Sequence, residues 1–541
     1  MATSILSIGQ SALAAAQVGI SVTGHNIANA ATPGYSRQEV IQSAALAQDF
    51  GFGYIGQGTI VSNIRRVYSD LLAQQLNTAQ SSSSATSTYA TYMGQIDNML
   101  ADPTTGLAPS IQKFFSSIQA LSSNPGDAAT RQAVLSSANS LVGRFQSLGD
   151  QLNEIREGFN QELATSTQLV TTYASKIAQL NDTISKAVGA NKDNLPNDLL
   201  DQRDHLVAEM SKLVKTTVNP QDDGSYNLFI GNGLPLVVGN KSFGLTTVRS
   251  TKDTGRVEVA YVSNMVKPLA DSMLAGGTIG GLLQFRAGAL DSIQNQLGQI
   301  ATVLTQTFNT QHNAGYDANG NIGSNFFNVP TPDIYGVCAN SVVESLKVYI
   351  TNTSALTSSD YQLKYDGTNY IVTRLSDNSS QSFASLPQTL DGLTFNGTMA
   401  AGDSFLIEPT RNAASKLSVA LSDINKIAAA DATGGNGNNR NALLLAGLQS
   451  QGTLNNSSAT YENAFAQLVS FVGNKTNELR VNSAAEETLL AQATAAQQSE
   501  SGVNLDEEAT NLLRYQQAYQ AAGKLMQVAS SLFDLLLTIG H

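Results

Sequence analysis

The residues whose types could do chemistry are few, and their spacing does not assemble a reactive site. The chain contains four histidines, which are far apart in the sequence and share no metal-ligand spacing: His25, His205, His312 and His541. The segment "DQRDH" (Asp201 to His205) could supply acid and base groups. On a helix, however, Asp201 and Asp204 share a face and Arg203 does not. This pattern favours a surface helix with capping and interhelical contacts over catalysis.

A second candidate is the loop "DANGNIGSNFFN" (Asp317 to Asn328), which partly resembles a calcium-binding loop. The EF-hand pattern requires glycine at its sixth position and an acidic residue at its twelfth. Those positions hold Ile322 and Asn328, so we predict a turn-rich connection instead. The single cysteine, Cys338, excludes an intramolecular disulfide and a Cys-rich metal site. We therefore predict no catalytic residue, no metal and no cofactor, and we expect that the protein is not an enzyme.

Length and charge narrow the class of protein. A chain of 541 residues has room for about three to five domains. Its formal net charge of -12 argues against a nucleic-acid-binding surface, which requires a basic face. Only 13% of the residues are charged, against ~25% in typical soluble domains. Such a composition is typical of surfaces that pack against neighbouring molecules.

The first 36 residues carry no formal charge apart from a possible charge on His25. A signal peptide needs a basic start and an unbroken apolar run. Here no Lys or Arg precedes the apolar residues, and Gln10, Ser11 and Gln17 interrupt them. We predict neither a cleaved signal peptide nor insertion into a membrane, because no run of about 20 predominantly apolar residues stands out.

Both ends of the chain have the apolar period of helices that pack on partners. Near the N-terminus one seam has 3-4-3-4-3 spacing and a second recurs every seven residues: Ile5, Ile8, Ala12, Ala15, Gly19 and Val22, beside Leu6, Leu13, Ile20 and Ile27. Near the C-terminus two adjacent seams have 4-3-4-3-4 spacing: Ala518, Ala522, Leu525, Ala529, Leu532 and Leu536, beside Tyr519, Gly523, Met526, Ser530, Phe533 and Leu537. Periodicity leaves two interpretations open. The termini pair with each other and with further copies, or they form an ordinary helical hairpin in a monomer.

The segments between the termini alternate in character. Thr32-Pro33-Gly34 predicts a helix end near Ala31 followed by a type II turn. A β-like run becomes a helix between Gly56 and Leu76, and the tract Ser81 to Ser84 predicts a flexible joint or the solvent face of a helix. A long-helix region follows from 128 to 214, ending near Asn219-Pro220, with a 4-3-4-3-4 apolar run: Leu141, Phe145, Leu148, Leu152, Ile155 and Phe159.

The second half of the chain begins with β character and returns to helix. We predict strands over 225–266, a helix over 280–311, and a strand-rich region over 316–409 with a hairpin turn at Asp366-Gly367. After Pro409 the pattern predicts helix to the end, interrupted by the loop 433–439. The predicted fold class is multidomain α+β, with the terminal helices paired as a coiled-coil domain, a long-helix middle domain and inserted outer β-rich domains.

The predicted domains are discontinuous, because both termini belong to the same end of the molecule. Their bounds are 1–75 with 480–541 for the terminal helical polymerisation domain, 76–215 with 266–315 and 410–479 for the long-helix domain, 216–265 for a β-rich insert, and 316–409 for an outer β-rich domain.

Two terminal segments resemble a known family, the axial proteins of the bacterial flagellum. "SALAAAQVGISVTGHNIANAATPGYSRQEV" (11–40) resembles the N-terminal signature of rod, hook and hook-associated proteins, and "SGVNLDEEATNLLRYQQAYQAAGKLMQVASSLFDLLL" (501–537) is similar to their C-terminal signature. Two internal stretches, "LPNDLLDQRDHLVAEMS" (195–211) and "FNTQHNAGYDANGNIGSNFF" (308–327), resemble motifs of the hook-associated protein 1 branch, whose members join hook to filament. The rest of the β-rich centre carries no such resemblance.

The resemblance implies a structural subunit that is exported without a cleaved signal through the flagellar type III apparatus, so that it is extracellular. It also implies self-assembly into a short homo-oligomeric zone between the hook protein and hook-associated protein 3, and an export chaperone that holds the C-terminal helical region. Periodicity and resemblance together predict an assembly interface: Ile5, Ile8, Leu13, Ile20, Val22, Asn26, Ile27, Asn29, Pro33, Gly34, Tyr35, Leu512, Tyr515, Tyr519, Leu525, Met526, Leu532, Phe533 and Leu536.

Two other functions compete with the junction subunit. One is a different axial protein, such as the hook or distal-rod protein, against which the two internal motifs argue. The other is a secreted adhesin or enzyme carried on a flagellar scaffold, with 316–409 as its active part. No carboxylate pair or nucleophile constellation in the sequence supports an enzyme.

Overall fold

The computed structural model describes residues 2–49, 51–100, 106–192, 194–253, 255–337, 340, 346–433 and 437–539, without the side chains of residues 2–4, 536, 537 and 539. Long helices dominate both ends and the middle of the chain. The helices are α1 (Ala2–Asn29), α2 (Asp70–Leu100), α3 (Leu107–Ser123), α4 (Ala128–Ala190), α5 (Asn197–Leu213), α6 (Gly277–Phe285), α7 (Asp291–Asn313), α8 (Ala413–Lys416), α9 (Arg440–Gly447), α10 (Tyr461–Ser501) and α11 (Leu505–Ile539).

The strands form small antiparallel sheets between these helices. They are β1 (Gln38–Ala44), β2 (Gln48–Asp49), β3 (Tyr54–Ile55), β4 (Thr59–Arg66), β5 (Thr216–Pro220), β6 (Tyr226–Ile230), β7 (Leu234–Val238), β8 (Lys241–Ser242), β9 (Gly244–Arg249), β10 (Val257–Val262), β11 (Val266–Pro268), β12 (Phe327–Asn328), β13 (Asp333–Gly336), β14 (Lys347–Ile350), β15 (Tyr361–Tyr365), β16 (Tyr370–Arg374), β17 (Ser380–Phe383), β18 (Gln388–Leu390), β19 (Leu393–Asn396), β20 (Ser404–Glu408) and β21 (Ser418–Val419). The larger sheets have the orders β13-β20-β15-β16-β17 and β5-β6-β7-β8, and three-stranded sheets join β11-β10-β9 and β14-β19-β18.

The first and last helices of the chain pack against each other. On the side of α1, strands β1 and β4 form an antiparallel pair that also contacts this helix. The next helices inward, α2 and α10, form a second pair. Both termini therefore lie at one end of the molecule and the β-rich segments are inserted between them. The predicted fold class is confirmed.

Helix α4 organises the middle of the molecule because it is long and presents one apolar face. Of the six residues in its predicted seam, Ile155 is partly buried and the others are buried completely, at 0–1% exposed: Leu141, Phe145, Leu148, Leu152 and Phe159. Helices α3, α5 and α8 and strand β9 pack along it. Burying that many large side chains supplies the hydrophobic stabilisation that the terminal helices, with their small seam residues, lack.

A buried group of charges joins the two β-rich regions to each other. Arg411, which follows β20, is 8% exposed and pairs with Asp253 at 3.0 Å and with Asp360 and Glu408. These carboxylates come from the loop before β10, the start of β15 and the end of β20. Burial raises the pKa of Glu408 to about 9 even though Arg411 opposes that shift. The cluster thus fixes three separate chain segments around one guanidinium group.

Several local predictions are confirmed. Helix α1 ends at Asn29, and the following turn has Gly34 at φ +79° with the Tyr35 N–H donating to the Thr32 carbonyl at 3.2 Å, as a type II turn requires. Strands β15 and β16 pair in the predicted hairpin, where Gly367 has φ +99°. Strand β4 is followed directly by α2, as expected from the segment 56–76.

The serine tract was interpreted incorrectly. Residues Ser81 to Ser84 lie inside α2, and Ser81 and Ser83 are buried at 2% and 7% exposed. Their small size lets the segment before α6 approach, since a Cβ built on Gly276 would lie 2.3 Å from the Ser81 hydroxyl oxygen. The tract is therefore a packing surface, neither a joint nor a solvent face.

Three further predictions are corrected. The helix expected to end near Asn219-Pro220 ends at Leu213, and β5 occupies 216–220, because β-branched residues there pair with β6. The region after Pro409 is not continuously helical, since β21, short helices and loops fill it up to α10. Helix α5 is not a surface helix at "DQRDH", because Asp201 and Arg203 are 5% and 1% exposed. The predicted domain bounds remain predictions, and the sheets around the expected insert extend from Thr216 to Pro268.

Candidate assembly interface

The contact between α1 and α11 depends on small residues in α1. A Cβ built on Gly19 would lie 2.5 Å from Cδ1 of Tyr515, and one on Gly9 would lie 3.0 Å from Met526. The aromatic ring and the thioether therefore rest directly on the backbone of α1. Alanines complete the contact on both helices, and they are buried: Ala15, Ala16, Ala522 and Ala529. Such small residues allow the helix axes to come close together.

The predicted interface residues divide by burial into three groups. Val22 and Asn26 are buried, and ten others are partly buried: Ile5, Ile8, Leu13, Ile20, Ile27, Asn29, Tyr35, Leu512, Tyr515 and Met526. A third group is exposed: Pro33, Gly34, Tyr519, Leu525, Leu532 and Phe533. The side chain of Leu536 lies outside the described residues. The α1–α11 contact brings Tyr515 and Met526 against α1, whereas Leu525 and Leu532 point elsewhere.

An exposed apolar stripe runs along α11 and was only half predicted. It consists of Leu525, Val528, Leu532 and Leu535, which are 37%, 56%, 42% and 56% exposed. Their 3-4-3 spacing places them on one face of the helix. The apolar period predicts Leu525 and Leu532 in one seam with the alanines, and Val528 and Leu535 fall outside both predicted seams. The apolar period of this stripe is visible in the sequence. It overlaps the two predicted seams, from which it differs only by a rotation about the helix axis.

A network of hydrogen bonds fixes the turn that follows α1. The amide of Asn26 donates to the carbonyl of Gln38 at 2.9 Å and accepts the Gln38 N–H at 3.0 Å. The Tyr35 hydroxyl donates to the same Asn26 oxygen at 2.7 Å. Burial and nearby carboxylates, including Asp198, raise the pKa of Tyr35, so the hydroxyl stays protonated and able to donate. Asn29 caps the helix by donating to the carbonyl of His25.

The same turn is tied to α5 and to the chain before α11. Asp201 accepts the Ser36 N–H at 3.0 Å, and Arg66 donates to Asp201 at 3.0 Å and to Asp204 at 2.6 Å. Burial raises the pKa of Asp201, although the Ser36 and Arg66 hydrogen bonds oppose that shift. Arg37 donates its backbone N–H to the Ser501 carbonyl and pairs with Glu507 at 2.8 Å. The "DQRDH" segment therefore holds the turn after α1 through Ser36 and the end of β4 through Arg66.

The remaining chemical candidates do not come together. In the described residues no group of three or more His, Cys, Asp and Glu side chains is placed to hold a metal ion. His25 packs edge-on against Tyr35, His205 lies beside Gly34, and His312 is buried in the middle of the molecule. His541 and Cys338 lie outside the described residues.

The loop at Asp317 is a turn, as predicted. Its carboxylate accepts the N–H groups of Asn319 and Asn321, both at 2.8 Å. Those bonds use the carboxylate oxygen to hold the backbone of the loop.

One expectation about apolarity needs correction. The helical segment Ile5–Asn29 is long and apolar enough to cross a membrane by length and composition, with a mean hydropathy of 1.5. The prediction that no segment is long and apolar enough to span a membrane is therefore wrong by length and composition. In the structure the same segment packs against α11, β1 and β4. That the protein does not insert into a membrane remains a prediction.

Comparison with known proteins identifies the chain's relatives. It is 37% identical to "Flagellar hook-associated protein 1" of Escherichia coli over 99% of this chain and 100% of the relative, and 39% identical over the same shares to the protein of that name from Salmonella typhimurium. The chain belongs to the flagellar hook-associated protein 1 family. The solved structure of "the flagellar hook junction protein FlgK from Burkholderia pseudomallei" matches with a TM-score of 0.74 and 29% identity, covering 79% of this chain and 100% of that one.

The family models match distinct parts of the chain. "Flagellar hook-associated protein FlgK helical domain" matches 93–327, and "Flagellar hook-associated protein 1, D2-like domain" matches 338–409. "Flagella basal body rod protein" matches 6–35 and "Flagellar basal body rod FlgEFG protein C-terminal" matches 497–539. The rod matches cover α1 with its turn and α11, so the part common to axial proteins is the terminal helix pair. The predicted resemblance to the hook-associated protein 1 branch of the axial proteins is confirmed.

Proposed function

We propose that this chain is the structural subunit of the junction between the hook and the filament of a bacterial flagellum, and that it polymerises through α1 and α11. Membership of the hook-associated protein 1 family supports this function. The observation that carries it is the apolar stripe on α11, which the chain leaves in solvent on the helix common to axial proteins. Full burial of one Val or Leu side chain contributes about 1.5–3 kcal/mol, so covering the stripe strongly favours assembly.

The predicted interface residues take two roles under this proposal. Those that are buried or partly buried, such as Val22, Tyr515 and Met526, hold the helix pair together within one subunit. The exposed ones, such as Tyr519, Leu525 and Leu532, contact neighbouring subunits. Pro33 and Gly34 set the direction in which the chain leaves α1. This division is based on how far each residue is buried in the single chain. The apolar seams alone do not distinguish contacts within one subunit from contacts with a neighbour.

The neighbours in the assembly follow from the resemblance of the terminal signatures. We propose that copies of this chain form a short zone, with hook protein on one side and hook-associated protein 3 on the other. Before export, a flagellar chaperone holds the C-terminal helix, and its apolar stripe is the surface that would need covering in the cell. The chain leaves through the flagellar type III apparatus without a cleaved signal peptide and functions outside the cell.

We also propose that the protein is not an enzyme and needs no cofactor. The family is structural, and the acidic candidates Asp201 and Asp317 accept backbone N–H groups in turns while Asp253 forms a buried ion pair. The division into a terminal domain, a long-helix domain and two β-rich inserts is proposed with the bounds predicted above. The strands β5 to β10 lie in the first insert region, β11 directly follows it, and β13 to β20 lie in the second.

Deletion of the gene in a motile bacterium tests the function. The expected result is hooks without filaments in electron micrographs, with flagellin lost to the medium. The deletion strain is then complemented with the double variant Val528→Ser and Leu532→Ser, which should restore far fewer filaments than the wild type. The matched control is Leu443→Ser with Leu444→Ser, which replaces two exposed leucines of α9. Normal filaments in the deletion strain would contradict the proposal.

A further inference from the structure

A short β-arm projects from the terminal helix pair between β1 and β4. Its described residues are 45–49 and 51–58, in which β2 and β3 pair through Gln48 with Ile55 and Asp49 with Tyr54. The side chains of Leu46 and Tyr54 are 93% and 76% exposed, so they are held in solvent by a pair of two-residue strands. Exposed large apolar residues grouped on a projecting element are typical of a contact surface.

The base of the arm is fixed to α1. Gly58 has φ +97°, and a Cβ built on it would lie 2.3 Å from the Ser11 hydroxyl oxygen and 3.3 Å from the Cα of Ile8. Only glycine fits both that backbone conformation and that close approach. The Thr59 N–H also donates to the Ser11 hydroxyl at 3.4 Å. The arm therefore has a fixed point of departure on the helix that pairs with α11.

The apolar stripe of α11 is turned away from α1. At about 100° per residue, Leu525, Val528, Leu532 and Leu535 centre on a direction roughly 110° from that of Tyr515, Ala522, Met526 and Ala529. Since the latter face packs on α1, the stripe lies to the side of the helix pair. One chain thus presents two separate apolar surfaces on its terminal module, the arm and the stripe.

The two surfaces are complementary in charge. Asp49 is the only charged residue in 45–58, and Lys524 is the only basic residue between 515 and 539. Lys524 lies one position before Leu525, next to the stripe. Among the described residues, neither Asp49 nor Lys524 takes part in an ion pair within the chain. An opposite pair at the rim of an apolar contact fixes its register.

We propose that the β-arm of one subunit binds the α11 stripe of a second copy of this chain, with Leu46 and Tyr54 against Leu525, Val528, Leu532 and Leu535 and with Asp49 facing Lys524. Because the arm and the stripe are different surfaces, each subunit gives one and receives one. Such a heterologous contact repeats around a ring or a helical zone without using up either surface. The inference rests on the proposed function.

Site-specific photocrosslinking tests the contact. The photoreactive residue p-benzoyl-phenylalanine replaces Tyr54 in the full chain, and assembled flagella are isolated and irradiated. The expected product is a covalent dimer of this chain whose crosslinked peptide, identified by mass spectrometry, lies within 518–535. The same probe at Tyr349, which is 50% exposed on β14, should not give that peptide.

The outcomes separate the contact from the function. If the labelled protein lies at the junction in immunoelectron micrographs but crosslinks within its own chain, to another protein or outside 518–535, the contact is refuted and the function stands. If the protein is absent from the hook–filament junction, the proposed function itself fails.

Charge reversal gives a second, independent readout of the same contact. Asp49→Lys should lower the yield of crosslinked dimer by roughly two- to fivefold, as expected for one exposed ion pair. Adding Lys524→Asp in the same chain should restore the yield, because the opposite charges face each other again with exchanged signs. A double variant that crosslinks no better than Asp49→Lys alone would overturn the pairing of these residues.

Discussion

His312 is a buried imidazole that donates one hydrogen bond to the backbone and accepts another from it. Its Nδ1 donates to the Ser324 carbonyl at 2.6 Å, and its Nε2 accepts the Ala428 N–H at 2.9 Å. This arrangement requires the neutral ring, because a protonated Nε2 could not accept the Ala428 N–H. Burial lowers the pKa of His312 to about 4. The residue thus closes the loop after α7 against the segment that precedes α9.

The first prediction concerns the pH dependence of that closure. A folded-state pKa below the unfolded value means that the unfolded chain binds more protons between about pH 4 and 6.5, so stability is lost as the pH falls through this window. From pH 7 to 4.5 the loss should be about 2 kcal/mol for local opening. Hydrogen exchange of the Ala428 amide, corrected for the intrinsic rate, measures it. The variant His312→Gln cannot titrate, and an equal pH dependence in both proteins would contradict the assignment.

At the scale of elements, the two terminal helices fit together because glycines on α1 leave room for large side chains on α11. Gly9 and Gly19 of α1 receive Met526 and Tyr515 of α11, and any larger residue would separate the two backbones. In the sequence these glycines fall within or beside the apolar seams, so the positions could be predicted. Their partners could not, because periodicity does not specify which residue of one helix meets which residue of the other.

The second prediction uses two glycines of the same helix. Gly19→Ala should weaken the α1–α11 contact by about 1–3 kcal/mol, because its methyl group would collide with the ring of Tyr515. Gly24→Ala is the matched control, since a Cβ there meets no atom within 4 Å and alanine favours the helix. In the complemented deletion strain, the fraction of hooks that carry filaments should fall for Gly19→Ala and not for Gly24→Ala. Equal fractions would refute the role of the close contact.

At the scale of the whole molecule, Arg411 connects segments that are distant in sequence. Asp253, Asp360 and Glu408 surround its guanidinium group where the loop between β9 and β10 meets the start of β15 and the end of β20. A buried ion cluster of this kind is retained less for net stability than for the arrangement that it specifies, because its desolvation cost offsets much of the attraction. It therefore fixes how the sheet that contains β9 and β10 is placed against the sheet that contains β15 and β20.

The third prediction removes the central charge of this cluster. Arg411→Met should destabilise the fold by about 3–5 kcal/mol, since it leaves the buried acidic groups Asp253 and Asp360 without their partner. Arg440→Met is the control, because Arg440 is 78% exposed in its ion pair with Asp431 and such pairs contribute at most about 1 kcal/mol. Urea unfolding of both variants measures the difference. A similar loss in the two proteins would show that burial of Arg411 does not matter.

What the sequence could predict depended on whether the signal is local. The turn at Thr32-Pro33-Gly34 and the hairpin at Asp366-Gly367 follow from backbone preferences of a few residues, and both are found in the structure. The burial of Ser81 depends on α6, which follows almost 200 residues later, and nothing near the serine tract encodes it. The charge cluster of Arg411 could not be predicted for the same reason, because its partners Asp253 and Asp360 are distant in the sequence.

The candidate interface was predictable to a similar extent. The seams correctly placed apolar faces on both terminal helices, because an amphipathic period is a property of one helix. They did not separate the face used within the chain from the face left for a neighbour. That separation required the burial of Ala522 and Ala529 and the exposure of Val528 and Leu535, which only the folded chain provides.

Because α1 pairs with α11, the terminal helix pair can form only in a chain that has been synthesised almost to its end. In the part of the chain that the structure describes, α1 packs against α11 as well as β1 and β4, so closing the helix pair waits for the last part of the chain. The entropic cost of closing the loop between α1 and α11 grows only logarithmically with its length. The long separation therefore delays the pairing of the two helices but lowers its stability little. A chain interrupted anywhere before residue 505 presents neither the helix pair nor the stripe. Under the proposed function, truncated copies lack the surface through which subunits join, and no separate inspection step is needed to exclude them.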